Sequence, residues 1–377
     1  MNKIYSLIIF AFFAILSSNS FLACIVTIPD ANFKAYLVGN SAINTDADAE
    51  IQCSEASAFT GTIGLFGTSF SDMTGLEAFT SITQLNIIGA QITTIDLTAN
   101  TALTNVNLEG TLLTSVNVST NTALTILNVW GGSLQTITFG NNSLISQLWI
   151  QSNQLTAVNL SSLTALTQLF CKDNQLSELN LNANTSLYYL ECSNNDISSL
   201  EFTTNSALGL VSCDNNLLTS LDVSSNPTFF ALFCSGNPLS SLNVANGNNT
   251  NMTNFVANNN PNLTCIQVDN AAYSTANWVG GNYSFDAGAS FDVNCNATST
   301  ISEINDEVVL TIFPNPANTF ITISANKPVL ATITSINGAV LTKLNVNGET
   351  SIDVSNYSSG VYFIRTSEGQ TVKFLKE

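Results

Sequence analysis

Histidine is absent from the 377 residues. That removes the commonest general base, the Ser-His and Cys-His nucleophile pairs, and the commonest zinc ligand. Cations are scarce: eight Lys and Arg stand against 26 Asp and Glu, a formal net charge of −18. No basic patch occurs, so nucleic acid and anionic lipid are repelled. Charged residues of both signs make up only 9 % of the chain. No apolar run reaches the roughly 20 residues that a bilayer-spanning helix needs. The chain is not a disordered acidic polymer, because 45 % of it is hydrophobic, enough for a sizeable core.

What is present begins with Lys3, an apolar run over 4–16, and the small polar stretch before Ala23. A basic start, a short apolar segment and small residues describe a cleaved export signal at 1–23. Cleavage after Ala23 leaves Cys24 first, which admits lipidation as an alternative to a disulfide. Phe21, however, stands where a lipobox usually has Leu.

Ile82, Leu103, Leu124, Ile145, Leu166, Leu187, Leu208 and Phe229 lie 21 residues apart, Met252 follows after 23, and an imperfect copy lies at 65–76. Self-similarity at a fixed period is the mark of a solenoid. Each unit has two halves, as in Leu166-x-x-Leu169-x-Cys171 and Leu176-x-x-Leu179-x-Leu181. Each half carries a period-2 apolar pair, so each coil is expected to give one short strand to each of two parallel faces. No coil can bury its apolar side alone, so stability is a sum over neighbouring interfaces. The unit Leu-x-x-Leu-x-Cys-x-x-Asn-x-Leu-x-x-Leu-x-Val-x-x-Asn resembles the leucine-rich repeats of secreted bacterial proteins over most of 63–268.

Two Asn rows share the period. Asn153, Asn174, Asn195, Asn216 and Asn237 follow the first strand; Asn100, Asn121, Asn142, Asn184, Asn205 and Asn226 follow the second. Asn at a tight turn bonds backbone groups that the bend leaves unpaired, and stacked side chains are also expected to bond along the row.

Cys171, Cys192, Cys213 and Cys234 recur at the inward place of the first strand. Metal knuckles need two to four residues between cysteines and usually histidine partners, so these four are expected to pack as buried thiols. The other four flank the repeat. Cys24–Cys53 and Cys265–Cys295 are expected as disulfides stapling the two end caps of an exported solenoid.

In the N-terminal cap, Pro29-Asp30 opens a helical pattern running to Val38. After it, 44–55 resembles an EF-hand calcium loop. The resemblance places Asn44, Asp46 and Asp48 as ligands, with the Glu50 carbonyl and the bidentate Glu55 completing the set. Calcium is thus the one cofactor suggested. Ala49 departs from the pattern, which has Gly at the sharp turn.

Past 296 the repeat ends in a small polar linker. Seven short alternating stretches follow, at 308–313, 320–324, 329–336, 339–346, 351–354, 361–366 and 371–375, and predict a small β-sandwich. Phe313-Pro314-Asn315-Pro316-Ala317, Ile336-Asn337-Gly338, Ile352-Asp353-Val354, Gly360-Val361-Tyr362-Phe363-Ile364-Arg365 and the late Lys373 and Lys376 occur in order. Residues 306–377 closely resemble the C-terminal sorting domain of type IX secretion cargo. The resemblance implies passage through the periplasm, recognition by the type IX machinery, and a product released from or fixed to the outer surface of a Gram-negative bacterium.

The two solenoid faces differ. Outward positions of the second row (Asp96, Asn117, Thr138, Asn159, Asn180, Glu201, Asp222, Asn243, Gln267) are all polar. The first row carries Trp149, Phe170, Glu191 and Phe233, flanked by Trp130 and Tyr189. Strand alternation turns Trp149 and Phe170 outward if their neighbours face the core, and exposed aromatic planes suit sugar rings or protein hot spots. Trp130, Trp149, Phe170, Tyr189, Glu191 and Phe233 are therefore the candidate ligand-binding residues.

The sequence predicts a mainly β chain. Its parts are the signal (1–23), a helical cap with the acidic loop (24–62), and a solenoid of about ten 21-residue coils (63–268). A cap and linker (269–300) and the seven-stranded sandwich of a sorting domain (301–377) complete it. The expected role is non-enzymatic recognition or adhesion toward an unidentified extracellular protein or glycan. A structural surface or biofilm component is an alternative, as is a carboxylate-only glycosidase using Glu191 and Asp214.

Overall fold

A computed structural model describes residues 24–67, 69–295 and 308–377. The expected signal at 1–23 and the linker at 296–307 lie outside the described residues. The chain divides into two units, 1–296 and 297–377.

The first unit is a solenoid with one continuous parallel sheet of eleven strands, from Thr62–Phe66 to Tyr283–Phe285. Most strands are three residues long with the middle residue buried, and in Gln147–Trp149, Gln168–Phe170 and Tyr189–Glu191 it lies between two partly exposed ones. This is the pattern of a half-buried strand that faces a core on one side only. Leu148, Leu169 and Leu190 fill that core from the middle of each strand, and Ile150, Cys171 and Cys192 from two residues later. Consecutive strands pair in register, Asn128↔Trp149↔Phe170↔Glu191, so one 21-residue step returns the chain to the same place on the next rung. Eleven rungs stand where about ten were expected, because Tyr283–Phe285 in the end cap adds one more.

The second face departs from expectation. Its strands pair only at Ser115–Asn117 with Thr136–Thr138, and again from Ser220–Asp222 to Ser290–Asp292. Between these two patches side chains carry the stacking on that side. Asn205 donates to the carbonyls of Leu181 and Asn184 at 3.1 and 2.8 Å, and Asn184 to those of Leu160 and Leu163. Both Asn rows work in this way, amide nitrogen to the previous coil's backbone, as expected; the additional side-chain bonds along each row are not formed. A carbonyl left open by a turn lies within reach, and the neighbouring carboxamide does not have to share.

A further column is set by backbone shape. Gly89, Gly110, Gly131, Ser152, Asp173, Asn194, Asn215 and Gly236 all have positive φ, between 53 and 74°. Only Gly, and less readily Asn or Asp, enters this left-handed region at low cost.

The ends are closed differently. At the N-terminus Asp30 caps the helix Ala31–Val38 by accepting from the amides of Asn32 and Phe33, and Phe33 and Leu37 are buried beneath it. Cys24–Cys53 pins this cap. At the other end Trp278 is buried among Phe255, Tyr283 and Phe291, with ring centroids 5.3, 6.2 and 5.4 Å away, and Cys265–Cys295 closes the segment.

The second unit is an antiparallel sheet of five strands, where seven were expected: Leu310–Phe313, Phe320–Ser335, Val340–Asp353, Gly360–Thr366 and Thr371–Lys376. The expected breaks at 325–328 and 347–350 are bends within two long strands. Pro328 falls where the register shifts between Ala325 and Val329, a place where a missing N–H does no harm. Opposite, Gly348 turns the partner strand with φ 70° instead of ending it. Ile321, Ile323, Ala331, Ile333, Val346, Ile364 and Phe374 form the core.

Candidate functional site

On the eleven-stranded face, alternation turns Trp149 and Phe170 away from the core, as the sequence predicts: both are partly exposed while Leu148, Ile150, Leu169 and Cys171 are fully buried. Their rings touch across the rungs. The Trp149 and Phe170 centroids are 5.8 Å apart, and Phe170 and Tyr189 are 4.9 Å apart, in tilted geometries. Tyr189 comes from the first position of its strand, opposite Gln168, so the ring row runs obliquely over three rungs. Burial, with the Glu191 carboxylate nearby, pushes the Tyr189 phenol above its ordinary range, so it stays a neutral donor.

Glu191 lies next in the central column and is ion-paired with Lys172 at 2.8 Å. Beyond it the face turns polar. The hydroxyls of Ser193 and Ser212 lie 2.8 Å apart, and Asp214 accepts from the Ser235 amide at 2.8 Å and from the Ser212 hydroxyl at 3.3 Å. Ser235 in turn donates to Asn258 at 2.6 Å. Phe233 is separated from the ring row by the Ser212 rung. Trp130, at 36 % exposure, borders the row from the next outward column two rungs before Phe170.

Tyr188 and Phe230 were not singled out in the sequence. They stand just before their strands, 21 residues either side of Gly209, with ring centroids 6.1 Å apart. A Cβ at Gly209 would come within 2.7 Å of Tyr188 and 2.9 Å of Phe230, so the missing side chain is what lets the two rings close over it. The signal was present as the series Tyr188, Gly209, Phe230, but the position lies outside the strand alternation.

The acidic N-terminal loop is not assembled as a calcium site. Its left-handed residue is Ala47, at φ 59°, rather than Ala49, where the calcium-loop pattern needs the sharp turn. Asn44 is buried and donates to the carbonyls of Val38 and Asp48. Asp46 and Asp48 accept from the amides of Asp48 and Glu50, and the Glu50 carboxylate faces Lys34 at 2.6 Å. Burial would raise the pKa of Glu55, but bonds from the amides of Gln52, Thr45 and Asp46 and the Thr45 hydroxyl hold it below the ordinary value. Local bonding thus takes the carboxylates that were expected to converge. No group of three or more His, Cys, Asp or Glu among the described residues is placed to hold a metal ion.

No helix among the described residues is long and apolar enough to cross a membrane. Residues 311–376 match the family model described as the secretion system C-terminal sorting domain. Among solved structures, the functional domain of InlJ from Listeria monocytogenes, described as including a cysteine ladder, is similar at 19 % identity. The match covers 93 % of this chain and 97 % of that one, with a TM-score of 0.46. The internalin InlF of the same species matches at 19 % identity over 74 % of this chain and 95 % of its own, TM-score 0.47. Internalin C2 matches at 24 % identity over 57 and 87 %, TM-score 0.42. Comparison with curated protein sequences gives no match.

Proposed function

We propose that this chain is a non-enzymatic recognition or adhesion protein. Type IX secretion delivers it outside the cell or to the cell surface, where the first-strand face of its solenoid holds an extracellular protein or glycan. The sorting-domain match at 311–376 supports the route. The observation that carries the binding reading is the contiguous ring row Trp149–Phe170–Tyr189, turned outward on the one sheet that runs the length of the solenoid. Burying a large apolar side chain is worth roughly 1.5–3 kcal/mol, so three rings left partly in water mark a surface that gains by being covered. The adjoining hydroxyl and carboxylate groups of Ser193, Ser212 and Asp214 supply directional contacts beside the apolar platform.

The test uses the full-length chain and the variant W149S/F170S/Y189S on a glycan array and a panel of extracellular proteins. Binding by the native chain that the variant loses while keeping its melting temperature supports the reading. Retained binding, or a variant that loses only stability, assigns the rings to cross-strand packing that stiffens the sheet.

A further inference from the structure

Charge is distributed unevenly along this acidic chain. Five of its eight Lys and Arg (Lys327, Lys343, Arg365, Lys373 and Lys376) fall in the last 51 residues. Two of these are accounted for: Lys327 pairs with Glu368 at 3.0 Å, and Lys376 is buried with its ammonium against the Glu377 backbone. Lys343, Arg365 and Lys373 make no ion pair among the described residues.

These three share one face. Ile333, Thr342, Leu344, Ile364 and Phe374 point to the core side, and alternation puts Lys343, Arg365 and Lys373 on the other. The register is tight. Lys343 lies opposite Thr332, Thr332 opposite Arg365, and Arg365 opposite Thr371, a single row across four strands. The next row runs Val340, Thr334, Phe363, Lys373. Apart from Lys373, which stands beside it, these residues line a groove of about 540 Å³ with no carboxylate in its lining. Leu330 and Val340, 45 and 57 % exposed, stand on the same face.

We infer that this outer face of the sorting sheet, centred on Thr332 between Lys343 and Arg365, docks an acidic protein surface of the export machinery. Charge complementarity sets the sign of the partner. The class follows from the interleaving: cations spaced one to a strand and separated by Leu330, Val340 and Phe363 match the apolar-and-charged composition of a protein interface. A polyanion would instead call for a denser basic track. Three rim cations act mainly on encounter and on rejection of wrong partners.

The experiment follows export of the full-length chain in a type IX-competent host. With K343E/R365E/K373E the extracellular amount should fall at least about tenfold, since like charges set against each other oppose docking, and soluble, protease-resistant chain should accumulate in the periplasm. The charge-keeping variant K343R/R365K/K373R should be exported like the native chain. Native-level export of the reversal variant, or equal retention of the charge-keeping one, overturns the inference. If the reversal variant is degraded, K343Q/R365Q/K373Q replaces it with the same two outcomes. Purified full-length chain is also mixed with lipopolysaccharide and with phosphatidylglycerol vesicles. Salt-sensitive binding to either that the reversal variant loses reassigns the face to an anionic glycolipid or membrane and overturns the protein partner.

Discussion

The carboxamide of Asn195 donates to the backbone carbonyl of Cys171 at 3.1 Å, reaching back 24 residues and one full coil. The same nitrogen bonds the Cys192 carbonyl at 3.0 Å, and the side-chain oxygen accepts from the Leu176 amide at 2.9 Å. Asn174, Asn216 and Asn237 repeat the arrangement one coil at a time. One side chain thereby ties a turn to its own strand and to the coil before it.

Replacing Asn195 by Ala leaves the buried Leu176 amide without its acceptor, while the Cys171 and Cys192 carbonyls keep bonds from Asn174 and Asn216. The expected loss is about 1–3 kcal/mol, the cost of leaving a buried polar group unpaired. Urea unfolding measures it, and a change below about 0.5 kcal/mol, the range of neutral surface substitutions, would contradict the role given to this row.

The four ladder thiols should be inert in the folded chain. Burial pushes Cys171, Cys192, Cys213 and Cys234 well above the ordinary thiol value, because a thiolate there would lose its water. Reaction needs the thiolate and access to it, so alkylation at pH 8 should be many-fold slower in the native than in the unfolded protein. Mass spectrometry after iodoacetamide pulses gives the rates; rapid native labelling of any of the four would exclude its burial.

Gly140 and Gly131 should respond differently to Ala. At Gly140 a Cβ would lie 2.3 Å from the Ser119 carbonyl oxygen, a backbone atom of the previous coil. Separating the coils should cost about 2–3 kcal/mol. At Gly131 nothing lies nearer than 4.0 Å, and only the φ of 74° resists, a penalty of about 1 kcal/mol. Equal destabilisation of the two variants would mean that contact between coils is not what selects Gly140.

The N-terminal cap should be acid-sensitive through Asp30. Burial alone would raise its pKa, but the amides of Phe33, Ser71 and Asn32 and the Ser71 hydroxyl outweigh that and hold it below the ordinary value. A carboxylate held low contributes stability above its unfolded pKa, about 3.9, and loses it as pH falls through the folded one. Hydrogen exchange in the helix Ala31–Val38 should therefore quicken below about pH 4 in the native chain. Asp30→Asn should already exchange faster at neutral pH and respond less to acid; identical profiles would remove Asp30 from this role.

The repeat made much of the fold legible. Eight apolar residues at one spacing fixed the rungs, and alternation alone turned Trp149 outward. The left-handed column was present too, but its members are Gly, Ser, Asp and Asn, which share a tolerated backbone shape rather than a side-chain property. The plug around Trp278 occurs once, so no period announced it. In the acidic loop the matched residue types were right for a cation, yet the position of the turn and the backbone amides that bond Asp46, Asp48 and Glu55 decided where the carboxylates went. Pro328 and Gly348 read as strand ends in isolation, while pairing with a neighbouring strand carried the chain through both.

Every joint from Gln147–Trp149 to Ala231–Phe233 is the same joint, shifted by one coil. Duplicating or deleting one 21-residue unit inside that span would leave both stapled ends facing the partners they already have. Length is therefore a variable that inheritance can adjust in whole steps, and the ring row and the hydroxyl cluster can be moved apart or together like marks on a ruler.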